Sequence, residues 1–154
     1  MVEELLGIIK RRFFEDLRAG NKMDCPCCGR YTQVYKRCLH HTVALQLIML
    51  HNKGGANNFV HCRELLTENM SGAGDFTKAK YWGLIQEAPI DEEGKKSTGY
   101  WKLTPTGEAF VKAEIPIRKT LLIYDDKVIG DQDGVVYINE CLGNKFNYFE
   151  LMEN

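Results

Sequence analysis

The chain has 154 residues, 44% of them apolar and 27% charged, with a formal net charge of −1. That composition excludes a disordered or fibrous chain and suffices for one core with a small appendage. Glu3 and Glu4 open the chain, and "LLGII" ends after five residues at "KRR", so neither a secretory leader nor a membrane span is expected and a cytoplasmic setting follows.

Charge is graded along the chain. Residues 1–61 hold nine Lys/Arg against five Asp/Glu, residues 62–112 seven against eight, and residues 113–154 four against eight. The basic front attracts phosphate or is an ordinary solvated surface.

Val2, Leu5, Leu6, Ile9, Phe13 and Leu17 recur at spacings of three and four, which predicts an amphipathic helix over 2–18. "YTQVYKR" then has the alternation of a strand. "TVALQLIML" predicts a buried helix capped by Thr42 and stopped at Gly54-Gly55. "FVH" predicts a short strand, "CRELLTEN" a short helix, and "FTKAKYWGLI" a second one capped by Asp75. "LIQEAPI" and "GYWKLT" read as a hairpin around "DEEGKKST", followed by a helix from Thr104-Pro105 through Lys112. In 114–154, Asp125-Asp126 predict a hairpin turn, "GVVYI" a strand, and "NECLGNKFNYFELM" one or two short helices.

Four of the six cysteines lie within residues 25–38, unlike the even framework of a secreted disulfide scaffold, so reduced thiolates are expected. "CPCCG" has the form of a zinc knuckle: Cys25 and Cys28 are separated by two residues, and Gly29 supplies the positive φ of the turn. Cys27 then points away from the metal. Cys38 and His41 repeat the spacing, giving C-x2-C-x9-C-x2-H, a closed tetrahedral site for structural Zn2+. His40 rivals His41 through C-x-H spacing, and two thiols without metal are the alternative for the whole cluster. A redox pair lacks the βαβ setting it requires, and no carboxylate base or open position signals a catalytic zinc.

"KYWGLIQEAP", a hairpin loop and "GYWKLTPTGEAFV" resemble the recognition-helix, wing and following-helix passage of winged-helix regulators of the MarR and PadR kind. The run from "FFEDLRAGNKMDCPCCGR" to "LGNKFNYFELM" resembles small uncharacterised proteins of bacteriophages and prophages. The resemblance implies an α+β fold: residues 1–41 a helix and zinc hairpin, 42–113 a winged helix-turn-helix core, and 114–154 a hairpin and short helices packed on it. It makes 62–69 the supporting helix, 75–83 the recognition helix and 87–100 the wing.

Duplex DNA is then the expected partner. Phosphate contacts fall to Lys10, Arg11, Arg12, Arg30, Lys36, Arg37, Lys78, Lys80, Lys95 and Lys96, and base contacts to Thr77, Lys78 and Tyr81. The alternative is a phage module that docks on a host enzyme or defence complex through Tyr124, Tyr137, Phe146, Tyr148 and Phe149. No Walker loop, nucleophile elbow or HExxH motif is present, and His51 and His61 stand alone, so no catalytic role is expected.

Overall fold

The computed structural model describes residues 2–19, 21–65, 75–90 and 98–153. The chain is mixed α+β, with short antiparallel sheets, as the sequence led us to expect. It divides into two compact units: Met1–Cys38 with Arg118–Gly134, and Leu39–Ile117 with Val135–Asn154. The expected 114–154 segment is thereby shared between the two units. Among the described residues no helix is long and apolar enough to cross a membrane.

The first unit opens with α1 (Val2–Arg18), where the periodicity placed it. Only the far end of its apolar stripe is covered: Leu17 is fully buried and Phe13 packs beside it, whereas Val2, Leu5 and Leu6 are exposed. The expected single strand through "YTQVYKR" is two. β1 (Met23–Asp24) pairs antiparallel with β2 (Tyr31–Thr32), and the Thr32 hydroxyl donates to the Met23 carbonyl. The break falls at Gln33-Val34, because Val34 turns into the small core of Leu17 and Leu122.

β3 (Tyr35–Cys38) lies along β7 (Ile117–Tyr124), with Tyr35 opposite Ile123 and Cys38 opposite Thr120. β7 turns into β8 (Lys127–Val136) at Asp125 and Asp126, whose φ values of 51° and 62° are those of a primed hairpin turn, as expected. β8 is longer than the expected "GVVYI" strand and ends at Val136, so Ile138 instead begins a helix. Consecutive left-handed residues, Asp133 at φ 69° and Gly134 at φ 77°, sit where the strand leaves this unit.

The second unit is built around α2 (His41–Asn52), which buries Val43, Ala44, Leu47, Ile48 and Leu50. It begins one residue before Thr42; His40 occupies the N-cap and no side chain caps the helix. β4 (Val60–His61), β5 (Ile85–Glu87) and β6 (Tyr100–Leu103) form an antiparallel sheet in the order β4-β6-β5. A 3-10 helix at Cys62–Leu65 and another at Phe76–Trp82 stand between β4 and β5. The second is 3-10 rather than α, and Asp75 does not cap it: its carboxylate takes the Lys78 ammonium at 3.3 Å. Residues 66–69 of the expected supporting helix and 91–97 of the expected wing lie outside the described residues.

α3 (Pro105–Val111) starts at Thr104-Pro105 as expected, and Thr104 Oγ1 caps it by accepting the Gly107 N–H at 3.0 Å, with proline at the first helical position. The same hydroxyl donates to the Gly83 carbonyl, and the Thr104 N–H donates to Leu84 O at 3.0 Å. Gly83, at φ 72°, ends the 3-10 helix, while a Cβ on Gly107 would sit 1.9 Å from Leu84 O. "GLI" and "LTPTG" are therefore the two halves of one clasp. α4 (Ile138–Leu142) and α5 (Tyr148–Glu153) complete this unit; Tyr148 Oη donates to Val111 O at 2.6 Å, and Asn52 Nδ2 donates to Leu151 O at 2.8 Å.

Candidate metal and nucleic-acid surfaces

Residues 25–30 form the tight turn that joins β1 to β2. The Cys25 N–H donates to Arg30 O at 2.7 Å, the Gly29 N–H donates to Cys25 O at 2.8 Å, and Gly29 has φ 72°. Hydrogen bonding from the Cys27 backbone, then the Cys28 backbone and side chain, holds the Cys25 thiol below its ordinary value, and the Cys27 side chain, expected to point away, adds to it. Donors converging on one sulfur favour the thiolate form, the form that ligates a metal. The half of the expected site carried by Cys25 and Cys28 thus fits a soft cation.

Of the other half, Cys38 belongs to the first unit and His41 to the second. Cys38 ends β3, is exposed, and has its Sγ 3.2 Å from Thr120 Oγ1, which donates to Asp133 Oδ2 at 3.0 Å. His41 opens α2 in the second unit, where its ring stacks on Phe146 at 6.2 Å between centroids. His40 precedes the helix as its N-cap. Among the described residues, no group of three or more His, Cys, Asp or Glu side chains is arranged to hold a metal ion.

The basic residues fall on both units. In the first, Arg30 and Lys36 are exposed, and the Arg37 guanidinium lies 5.5 Å from the centre of the Tyr35 ring. Lys10, Arg11 and Arg12 are exposed along α1. In the second unit, Lys78 is held by Asp75, and the exposed Lys80 puts its ammonium 5.4 Å from the Tyr81 ring centre. Thr77 and Tyr81 are half-buried. Lys95 and Lys96 lie outside the described residues.

The alternation of Tyr35 and Arg37 along one strand face was a signal that the count of charges passed over. Sequence reasoning also missed Lys102, whose ammonium sits 4.9 Å over the Phe59 ring. Of the aromatics expected as protein anchors, Phe149 is 75% exposed, whereas Tyr148 is half-buried and committed to Val111.

No family model matches the chain, and neither a curated protein nor a solved structure matches it.

Proposed function

We propose that the protein is a zinc-stapled winged-helix factor of bacteriophage type that binds duplex DNA in an accessory or regulatory role, without catalysis. One observation carries this reading: the second unit runs α2, β4, two 3-10 helices, β5, β6, α3, with β4 pairing to β6 and β6 to β5. A helix followed at once by a hairpin, with the earlier strand on the hairpin's far side, is the arrangement that presents a helix and a wing together. The Gly83, Thr104 and Gly107 clasp supports it, because it fixes the end of the 76–82 helix against the start of α3. Zinc is supported by the converging donors on Cys25.

In this reading Lys78, Lys80, Lys95 and Lys96 neutralise phosphates while Thr77 and Tyr81 face bases. Electrophoretic shift with mixed duplex at low and high salt tests it. Lys78→Ala with Lys80→Ala should weaken binding and flatten the slope of log K against log salt by about 1 to 2 units, because each contact contributes roughly 0.9. Wild-type protein without affinity for duplex at low salt would defeat the proposal.

A second reading, docking on a host protein, has its own support. The second unit carries nine Lys/Arg against twelve Asp/Glu, and Asp75 already engages Lys78. Capture of one stoichiometric host protein, lost on Phe149→Ala and unaffected by Lys80→Ala, selects it over the first.

A further inference from the structure

The first unit carries a cleft of about 280 Å³ beside the cysteine turn, walled by Tyr31, Tyr35 and Tyr124. Its size is near the low end of the ~300–1,000 Å³ of small-ligand sites, room for one heterocycle rather than an extended ligand. Tyr31 is 57% and Tyr35 53% exposed, so ring surface is offered to solvent on β2 and β3. Arg30 lines the cleft, exposed Lys36 and the Arg37 over Tyr35 adjoin it in sequence, and Asp125 with Gln33 supplies polar edges.

Aromatic faces take planar π-systems of any kind, so the cations must decide among them. Arg30 in the lining and Arg37 over the Tyr35 ring ask for an anionic chain beside the rings, while Lys36, one residue from each of Tyr35 and Arg37, alternates to the other strand face. Asp125 bars phosphate from its own side, while its carboxylate accepts N–H donors from the edge of a ring. Stacking surface, a backbone-neutralising flank and an edge acceptor are the parts by which proteins hold unpaired bases.

We propose that this cleft binds one unpaired nucleobase of a single-stranded nucleic acid, stacked on Tyr31 and Tyr35, with the adjoining phosphates on Arg30 and Arg37. Guanine is preferred, because its N1–H and N2–H2 give the Asp125 carboxylate two adjacent donors. This site does not rest on the duplex reading; it belongs to the other unit.

Fluorescence anisotropy of the full chain with a short labelled thymidine strand, the same strand with interspersed guanines, its RNA counterpart and a duplex tests the assignment. Wild-type protein should bind the single strands, more tightly when guanines are present. Tyr31→Ala and Tyr35→Ala should each weaken this roughly tenfold, and Tyr35→Phe should preserve it, since stacking needs the ring and not the hydroxyl. Asp125→Asn should erase the guanine preference without weakening thymidine binding. Tighter binding of the RNA strand than of the DNA strand, or the reverse, identifies the source of the base and supports the site in either case. Lys78→Ala with Lys80→Ala should leave single-strand affinity unchanged. Single-strand affinity that is absent, or indifferent to both tyrosine truncations in variants with wild-type circular dichroism, overturns the proposal; retained duplex binding in that case leaves the winged-helix reading standing.

Discussion

The two units differ in how they are held together. The second encloses a continuous core, from Leu47 and Leu50 on α2 through Phe76, Trp101 and Phe110 to Ile138 and Leu142. In the first, the buried cluster is Leu17, Val34 and Leu122, with Phe13, Met23, Tyr124 and Ile129 partly covered around it. A core that small supplies little hydrophobic free energy against the entropy of ordering the chain, and small folds of this kind depend on a staple. The charges differ as well: eleven Lys/Arg against nine Asp/Glu in the first unit, nine against twelve in the second. The element order that suggests DNA binding thus sits on the acidic unit, and the cationic surplus sits on the unit with the cysteines.

If the proposed zinc is bound, removing it tests that contrast hardest. Structural zinc in small modules is worth about 10 kcal/mol or more of folding free energy, so chelation should expose the amides of β3 and β7 to rapid hydrogen exchange. Trp82 and Trp101 both belong to the second unit, and their fluorescence should not change. Loss of protection in both units, or in neither, removes the asymmetry. On the zinc proposal, elemental analysis should find one zinc per chain in the wild type and in Cys27→Ser and little in Cys25→Ser or Cys28→Ser, while Cys38→Ser, His40→Ala and His41→Ala identify the remaining ligands.

Damage to the larger core should have the opposite signature. Phe110 is fully buried, so Phe110→Ala should lower the stability read by tryptophan fluorescence in denaturant by about 3–5 kcal/mol, with zinc content unchanged. Gly107→Ala should cost about 1–3 kcal/mol by forcing a methyl group into the Leu84 carbonyl, and Thr104→Ala about 1 kcal/mol by removing the cap. If Gly107→Ala were as stable as the wild type, the clasp would not be the joint that fixes α3.

The smallest effect is electrostatic. Glu108 and Lys112 meet at 2.9 Å on the exposed side of α3. The Lys112 ammonium, by hydrogen bond and charge, holds the Glu108 carboxyl below its ordinary value, and Glu108 in turn raises Lys112. A lowered carboxyl stabilises the fold above its unfolded value and ceases to as pH falls through the folded one; a raised ammonium stabilises below its unfolded value and ceases to as pH rises through the folded one. The pair's contribution should therefore span neutral pH, fade at both extremes, and shrink in salt or in Glu108→Gln.

Local signals in the sequence were read well where the physics was local. The Asp125-Asp126 turn, the helix start at Thr104-Pro105 and the positive φ of Gly29 in "CPCCG" each depend on a few adjacent residues, and each is as expected. The hairpin of β5 and β6 was legible because both strands flank one loop, and its register puts Ile85 opposite Leu103. Pairings between distant segments were not. Nothing in "YTQVYKR" announces that Tyr35–Cys38 will lie along Thr120–Ile123, and that pairing places Cys38 beside Thr120. The spacing rule for Cys38 and His41 could not anticipate that the strand breaks at Val34 or that the chain passes into the second unit after Cys38. The 76–82 helix was legible as a helix but not as 3-10, since its apolar Phe76 and Ala79 suit both periods.

The long pairing of β3 with β7 sets an order of events during synthesis. At ribosomal speeds of about 5–20 residues per second, the nascent chain waits several seconds between delivering Cys38 and delivering Thr120. Through that interval β3 has no partner strand, and the two-stranded β1-β2 sheet stands alone. The turn at residues 25–30 closes on its own backbone bonds and needs nothing downstream, so under the zinc proposal its thiol pair would be the earliest part of that unit to take up the metal. Metal supply at the moment of translation, rather than afterwards, would then decide what fraction of newly made molecules completes this unit.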